Sequence, residues 1–179
     1  MKKAILLTTL ALVALAPSFA QQIPRKAPDL TIHYGGTRTG LIGDYRGKVL
    51  LVMFFLTGCP HCQHTTELVN PIQTDLAKQG FQVVGVAINQ DAQQKLEEFK
   101  KTFKPTFPVS YADYMDAASF CSFDATKRIV APILVFMDRH GVIRYQVSGD
   151  DASFFNDKES DNIRAQAQKL LDEPKKGKK

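Results

Sequence analysis

The apolar positions of this chain fall into a few sharply bounded runs. Val49 to Phe55 is an unbroken run of seven apolar residues, the pattern of a strand covered on both faces. Phe81 to Ile88, rich in valine, repeats it. Between them a helical pattern runs from about Pro60 to Lys78, opened by a proline that suits a first turn and closed by Gly80. Pro71 lies inside it and predicts a kink or a break. Ala92 to Phe103 is helical, with Phe99 and Phe103 on one face, and Pro105 and Pro108 bracket the connection to Val109-Ser110-Tyr111. A short helix follows around Asp116 to Phe123. Ile133 to Met137 and Val142 to Val147 read as strands joined by Asp138-Arg139-His140-Gly141, whose glycine suits a positive φ. A last helix covers roughly Asn162 to Leu171. Ahead of all this, residues 21–29 form an extended lead-in, and a weak alternation at Leu30-Thr31-Ile32-His33 is turned by Gly35-Gly36. The alternation of strands and helices predicts an α/β sheet with an antiparallel hairpin near its end.

The first 20 residues have a different character. Met1-Lys2-Lys3 is positive, Ala4 to Ala16 is apolar, and Ser18-Phe19-Ala20 is a small-x-small cleavage site before Gln21. The apolar run of 13 residues is short of the roughly 20 that cross a bilayer. The expectation is a bacterial signal peptide and a periplasmic or secreted protein without stable membrane insertion; an uncleaved anchor is the alternative. No cysteine precedes Cys59, which excludes a lipid anchor at the signal boundary.

Composition adds mainly exclusions. Of 179 residues, 44% are apolar and 23% charged, and three cysteines are too few for a dense disulfide scaffold. The formal charge of +5 comes from the ends. Without Lys2, Lys3, Lys175, Lys176, Lys178 and Lys179 the chain carries 17 basic against 18 acidic side chains. A near-neutral body gives no basic face for nucleic acid. The organisation expected is a signal at 1–20, one domain over 21–155, and a C-terminal helix with a basic, disordered tail over 156–179.

The chemistry concentrates at Cys59-Pro60-His61-Cys62. Two cysteines three apart at a helix start can close a small ring. The helix terminus brings partial positive charge and unpaired N–H groups to the first sulfur. A thiolate there is stabilised, so Cys59 is the candidate nucleophile and the more deeply placed Cys62 the candidate resolving thiol. Pro60 and His61 modulate the site, His61 by adding positive charge or a hydrogen bond. A stabilised thiolate also makes the oxidised pair a stronger oxidant. Three other readings compete. A structural disulfide is weak, because this spacing joins no distant segments. A zinc or copper site would recruit Cys59, His61, Cys62 and His64, four donors within six residues that diverge around a helix. Haem attachment fails because Gln63 stands where a histidine is needed.

These residues and their order resemble the exported TlpA/ResA-like thiol–disulfide oxidoreductases of the thioredoxin superfamily. The resemblance runs from about Ala27 to Gly149. It rests on Ala27-Pro28-Asp29, Asp44 to Val49, the Cys-Pro-His-Cys site, Phe107-Pro108-Val109, and Ala131-Pro132 leading into Ile133 to Phe136. It implies a thioredoxin-like fold, a central mixed β-sheet flanked by helices, with a strand–helix insertion between the Cys-x-x-Cys helix and a cis-proline loop. It implies a cis Pro132, with Ala131 and Pro132 walling a substrate groove. It implies an enzyme without metal or other cofactor, a monomer exchanging disulfides with protein substrates and a redox partner protein. A metal-binding chaperone using the same thiolates, or a non-catalytic module of the same fold, are the alternatives. Three departures stand out. Gly58 replaces the usual tryptophan before the first cysteine. Met53 replaces a buried Asp or Asn, which leaves proton transfer to Cys62 to water or another carboxylate such as Glu67. Pro60-His61 is the pairing of DsbA-type oxidants, which leaves the direction of electron flow open. Cys121 is expected as a buried thiol beside Phe120 and Phe123, with an extra resolving or intermolecular thiol as the alternative. His33, His64 and His140 are expected in loops or on a helix surface.

Overall fold

The computed structural model describes residues 23–124, 126 and 129–174. The signal-like segment and the five terminal residues lie outside them. Eight strands form one mixed sheet: β1 (Arg25–Lys26), β2 (Thr31–Gly35), β3 (Arg38–Leu41), β4 (Val49–Phe55), β5 (Phe81–Ala87), β6 (Val109–Tyr111), β7 (Ile133–Met137) and β8 (Val142–Ser148). Their spatial order is β1-β8-β7-β4-β5-β6-β2-β3. β4, β5 and β6 are parallel, while β7 runs antiparallel to β4 with Val52 opposite Val135. Four helices cover the sheet: α1 (Pro60–Leu76), α2 (Ala92–Phe103), α3 (Tyr114–Cys121) and α4 (Glu159–Leu171). Two strand–helix units, β5–α2 and β6–α3, separate α1 from β7, as expected.

β4 organises both layers because its side chains alternate between two cores. Val49, Leu51, Met53 and Phe55 pack with Val69, Ile72 and Leu76 of α1, Leu96 and Phe99 of α2, and Ile163 and Ala167 of α4. Leu50, Val52 and Phe54 pack on the other face with Ile32, Ile42, Phe120 and Cys121. Each such fully buried side chain contributes about 1.5–3 kcal/mol relative to exposure. This double coverage explains why the run carries no polar residue.

Some expectations change. The helix passes through Pro71 unbroken. Pro71 and Glu67, whose carbonyl loses its N–H partner, both lie on the exposed face of the helix. Meanwhile Val69, Ile72 and Leu76 hold the buried face in place. Gly35-Gly36 turns β2 into β3, a short edge strand of Arg, Thr, Gly and Leu whose single apolar residue, Leu41, is exposed, so it carries no apolar pattern. His33 lies on β2, not in a loop, stacked on Tyr111 at 5.1 Å between ring centroids. His64 is on the exposed face of α1 and His140 is in the β7–β8 turn. Cys121 is buried, its thiol pushed up to about 12 by burial, against the pull of Arg25.

The β7–β8 turn does more than reverse the chain. Gly141 adopts φ 78. Asp138 Oδ1 accepts from the N–H groups of His140 and Val142, and its Oδ2 accepts from Arg144 at 3.0 Å. Arg139 reaches across to donate to the carbonyls of Leu170, Leu171 and Glu173, which closes the C-terminal end of α4. Past β8, Gly149 donates its N–H to Val130 O at 2.9 Å. A Cβ there would sit 2.6 Å from Ala131 O, so only glycine lets the chain pass this close to the Ala131-Pro132 loop.

Two stability predictions follow from these contacts. Gly149→Ala should destabilise the protein by about 1–3 kcal/mol in urea unfolding; a change below about 0.5 kcal/mol would show that the loop gives way freely. Asp138 is partly desolvated, but the Val142 N–H, Arg144 and the His140 N–H outweigh that and hold its carboxyl below the usual range. A depressed native carboxylate stabilises above the unfolded value of about 3.9 and stops doing so as pH falls through its folded value. Asp138→Asn should therefore cost about 1 kcal/mol at pH 7, with the difference from the parent shrinking as pH falls below about 4. A difference independent of pH would contradict the assignment.

Candidate active site

The site forms where β4 ends and α1 begins. Leaving β4 at Phe55, the chain makes a tight turn in which Cys59 N–H donates to Leu56 O at 3.1 Å. Thr57 pins this turn from three sides. Its N–H donates to Asn89 Oδ1 and its hydroxyl accepts from Asn89 Nδ2, both at 3.0 Å, while its carbonyl accepts from Gln63 Nε2 at 3.0 Å. Asn89 comes from the segment after β5, so two neighbouring strand ends fix the loop ahead of the first cysteine. Asn89 carried no signal in the sequence, since a lone Asn after a strand reads as ordinary turn chemistry.

Cys59 is the N-cap of α1, and its Sγ accepts the N–H of Cys62 at 3.2 Å. A sulfur that accepts a free helix N–H at the positive end of the helix is in a place that favours negative charge. Pro60 follows as the first helical residue and is exposed. Cys59 is half-buried and Cys62 fully buried. Burial, with the hydrogen bond and charge of Cys59, pushes the Cys62 thiol far up, so it is a neutral thiol at neutral pH. The Ala131–Pro132 peptide bond is cis, and the carbonyl of Ala131 faces Cys59 Sγ at 3.9 Å. The structure thus brings Cys59, Cys62 and Ala131 together, with Pro132 buried behind them.

His61 is partly exposed and its ring faces α4. Its ring meets Phe155 edge-on at 4.8 Å, and its Nε2 lies 3.5 Å from Glu159 Oε2. Glu159, the first residue of α4, is 4% exposed, and its Oε1 accepts from the Thr65 hydroxyl at 2.6 Å. This buried carboxylate was missed in the sequence, where an acidic residue opening a helix reads as a complement to the helix dipole. Glu67, the carboxylate considered for proton transfer, is on the exposed face of α1, so the buried carboxylate at this site comes from α4 instead. His64 is exposed, and among the described residues no group of three or more His, Cys, Asp or Glu side chains converges to hold a metal ion.

Comparison with known proteins places this arrangement. Over 156 residues the chain is 24% identical to the thiol-disulfide oxidoreductase ResA of Geobacillus kaustophilus, covering 83% of this chain and 86% of that protein. It is 29% identical to ResA of Geobacillus thermodenitrificans over 83 residues, which span 46% of this chain and 47% of that relative. Among solved structures, a thiol:disulfide interchange protein from Chlorobium tepidum superposes with a TM-score of 0.67 at 21% identity, covering 85% of this chain and 99% of that one. A thiol:disulfide interchange protein from Bacteroides sp. superposes with a TM-score of 0.66 at 18% identity, covering 86% and 93%. These structures share the thioredoxin-like fold. The Redoxin family model matches residues 22–163. The chain belongs to the Redoxin family, within the thioredoxin superfamily of thiol–disulfide oxidoreductases.

Proposed function

We propose that this protein is an exported oxidoreductase that exchanges disulfides with protein substrates through Cys59 and Cys62. The observation that carries the reading is the asymmetry of the two sulfurs. Cys59, half-buried, accepts the Cys62 N–H at the helix start, whereas Cys62 is fully buried and held as a thiol. In the reducing direction, the Cys59 thiolate attacks one sulfur of a substrate disulfide. The Cys59–substrate bond forms, the substrate S–S bond breaks, and one substrate thiolate leaves. Loss of the Cys59 charge then removes one of the causes that hold the Cys62 proton. Cys62 gives that proton to the substrate thiolate already released and attacks Cys59, which forms the Cys59–Cys62 disulfide and releases the second substrate sulfur as a thiolate. Two electrons have passed to the substrate. The reverse sequence oxidises a substrate dithiol, and the direction follows the potential of the partner.

Several features support the finer parts of this reading. The Ala131 carbonyl beside Cys59, with Pro132 behind it, forms one wall where an extended substrate segment would lie. The chemistry closes on the two thiols and the partner's sulfur, with no cofactor, and a redox partner protein resets the pair. Export rests on the positive, apolar and small-x-small pattern of residues 1–20. Among the described residues, no helix is long and apolar enough to cross a membrane. A single copy supplies every group used.

Replacing Cys62 with serine should trap a mixed disulfide through Cys59, while Cys59→Ser should yield no adduct. Mass spectrometry after incubation with a disulfide-bonded protein reads this. Equal trapping by both variants, or trapping through Cys62 alone, would contradict the assigned roles.

A further inference from the structure

The His61–Glu159–Thr65 cluster joins two elements that are nearly a hundred residues apart in the chain and sits one turn from both cysteines. A carboxyl group at 4% exposure is costly unless charge or hydrogen bonds compensate it. Here the compensation is specific: the Thr65 hydroxyl at 2.6 Å on Oε1, and the His61 imidazole at 3.5 Å from Oε2. The helix dipole adds to it, because Glu159 opens α4. The imidazole is clamped from its other side by the edge of Phe155. These contacts hold the His61 ring toward α4, two residues from Cys59 in the chain.

Thr65 adds a second tie. Its Oγ1 lies 2.6 Å from Glu159 Oε1 and 3.1 Å from the His61 carbonyl, so one hydroxyl bridges the backbone of His61 and the carboxyl group that faces its ring.

The neighbouring charges leave this pair to itself. On α1 the other titratable groups nearby are Cys59 and Cys62, with His64 and Glu67 exposed. On the α4 side, Asp157, Lys158 and Asp161 are exposed. Arg164, further along α4, is engaged with Asp75 at 2.7 Å. β4 presents only Val49, Leu51, Met53 and Phe55 to this core.

We propose that Glu159 is a positioning residue of the redox site, fixing the direction of the His61 ring at the start of α1. The inference rests on the redox reading of Cys59 and Cys62. No electron passes through Glu159; it sets which way the side chain between the two cysteines points, and so which polar group the helix start presents there.

The test measures the rate of disulfide exchange with insulin at pH 7 and the reduction potential of the Cys59–Cys62 pair for the parent, Glu159→Gln, His61→Ala and the double variant, each checked for a native melting transition. Glu159→Gln should slow exchange on the order of tenfold and shift the midpoint potential in the same direction as His61→Ala. The double variant should be no slower than His61→Ala, because the two residues act as a unit. Thr65→Val keeps the shape of the side chain and removes only the hydroxyl; it should reproduce part of the loss, and serves where Glu159→Gln does not fold. Additive losses, a potential that Glu159→Gln leaves unchanged, or variants indistinguishable from the parent would overturn the role of Glu159 while leaving the redox reading intact. A parent that exchanges no disulfide through Cys59 would overturn that reading and this inference with it.

Discussion

The hydrogen bond from the Cys62 N–H to Cys59 Sγ is the contact on which the site depends. It exists only if the chain leaves β4 at Phe55, turns within three residues and enters a helix with Cys59 as its cap. A strand buried on both faces provides the rigid origin for that turn, and Thr57, held by Asn89 and Gln63, fixes its path. The same geometry sends Cys62 inward against the β4–α1 core. One short segment thus makes two chemically different thiols from the same residue type.

The remaining elements are arranged around that segment. β7 runs antiparallel beside β4 and carries the Ala131-Pro132 loop to the sulfur, where the close pass of Gly149 supports it. α4 lies over the same core and is tied at both ends. Arg139, from the turn after β7, closes its last carbonyls, and Glu159 at its first residue meets His61 and Thr65. Packing of α4 on the sheet is therefore coupled to the orientation of a side chain between the two cysteines. The C-terminal helix is part of the site's frame as well as a cover for the core.

Much of this was legible in the sequence where burial leaves a one-dimensional trace. β4, β5 and β7 announce themselves because both faces are covered and, Gln82 of β5 apart, every position is apolar or glycine. The site announces itself because two cysteines and a proline at a strand-to-helix junction have few other uses. What escaped has local patterns that say nothing of their tertiary partners. β3 is an edge strand without an apolar face. Pro71 breaks the pattern but not the helix, because it stands on the exposed face of α1 while Val69, Ile72 and Leu76 hold the buried face. Glu159 and Asn89 look like a helix-start acid and a turn residue, and only the fold brings them to His61 and Thr57. His33 acquires its place from Tyr111, 78 positions away in the chain.

The reduction potential of the Cys59–Cys62 pair, measured by alkylation and mass spectrometry in glutathione buffers, tests the account most directly. A reversible couple with a two-electron slope of about 30 mV per tenfold change, and a midpoint between about −120 and −270 mV, is the predicted result. A pair that forms no disulfide, or one whose midpoint lies below about −300 mV as for structural bridges, would contradict it.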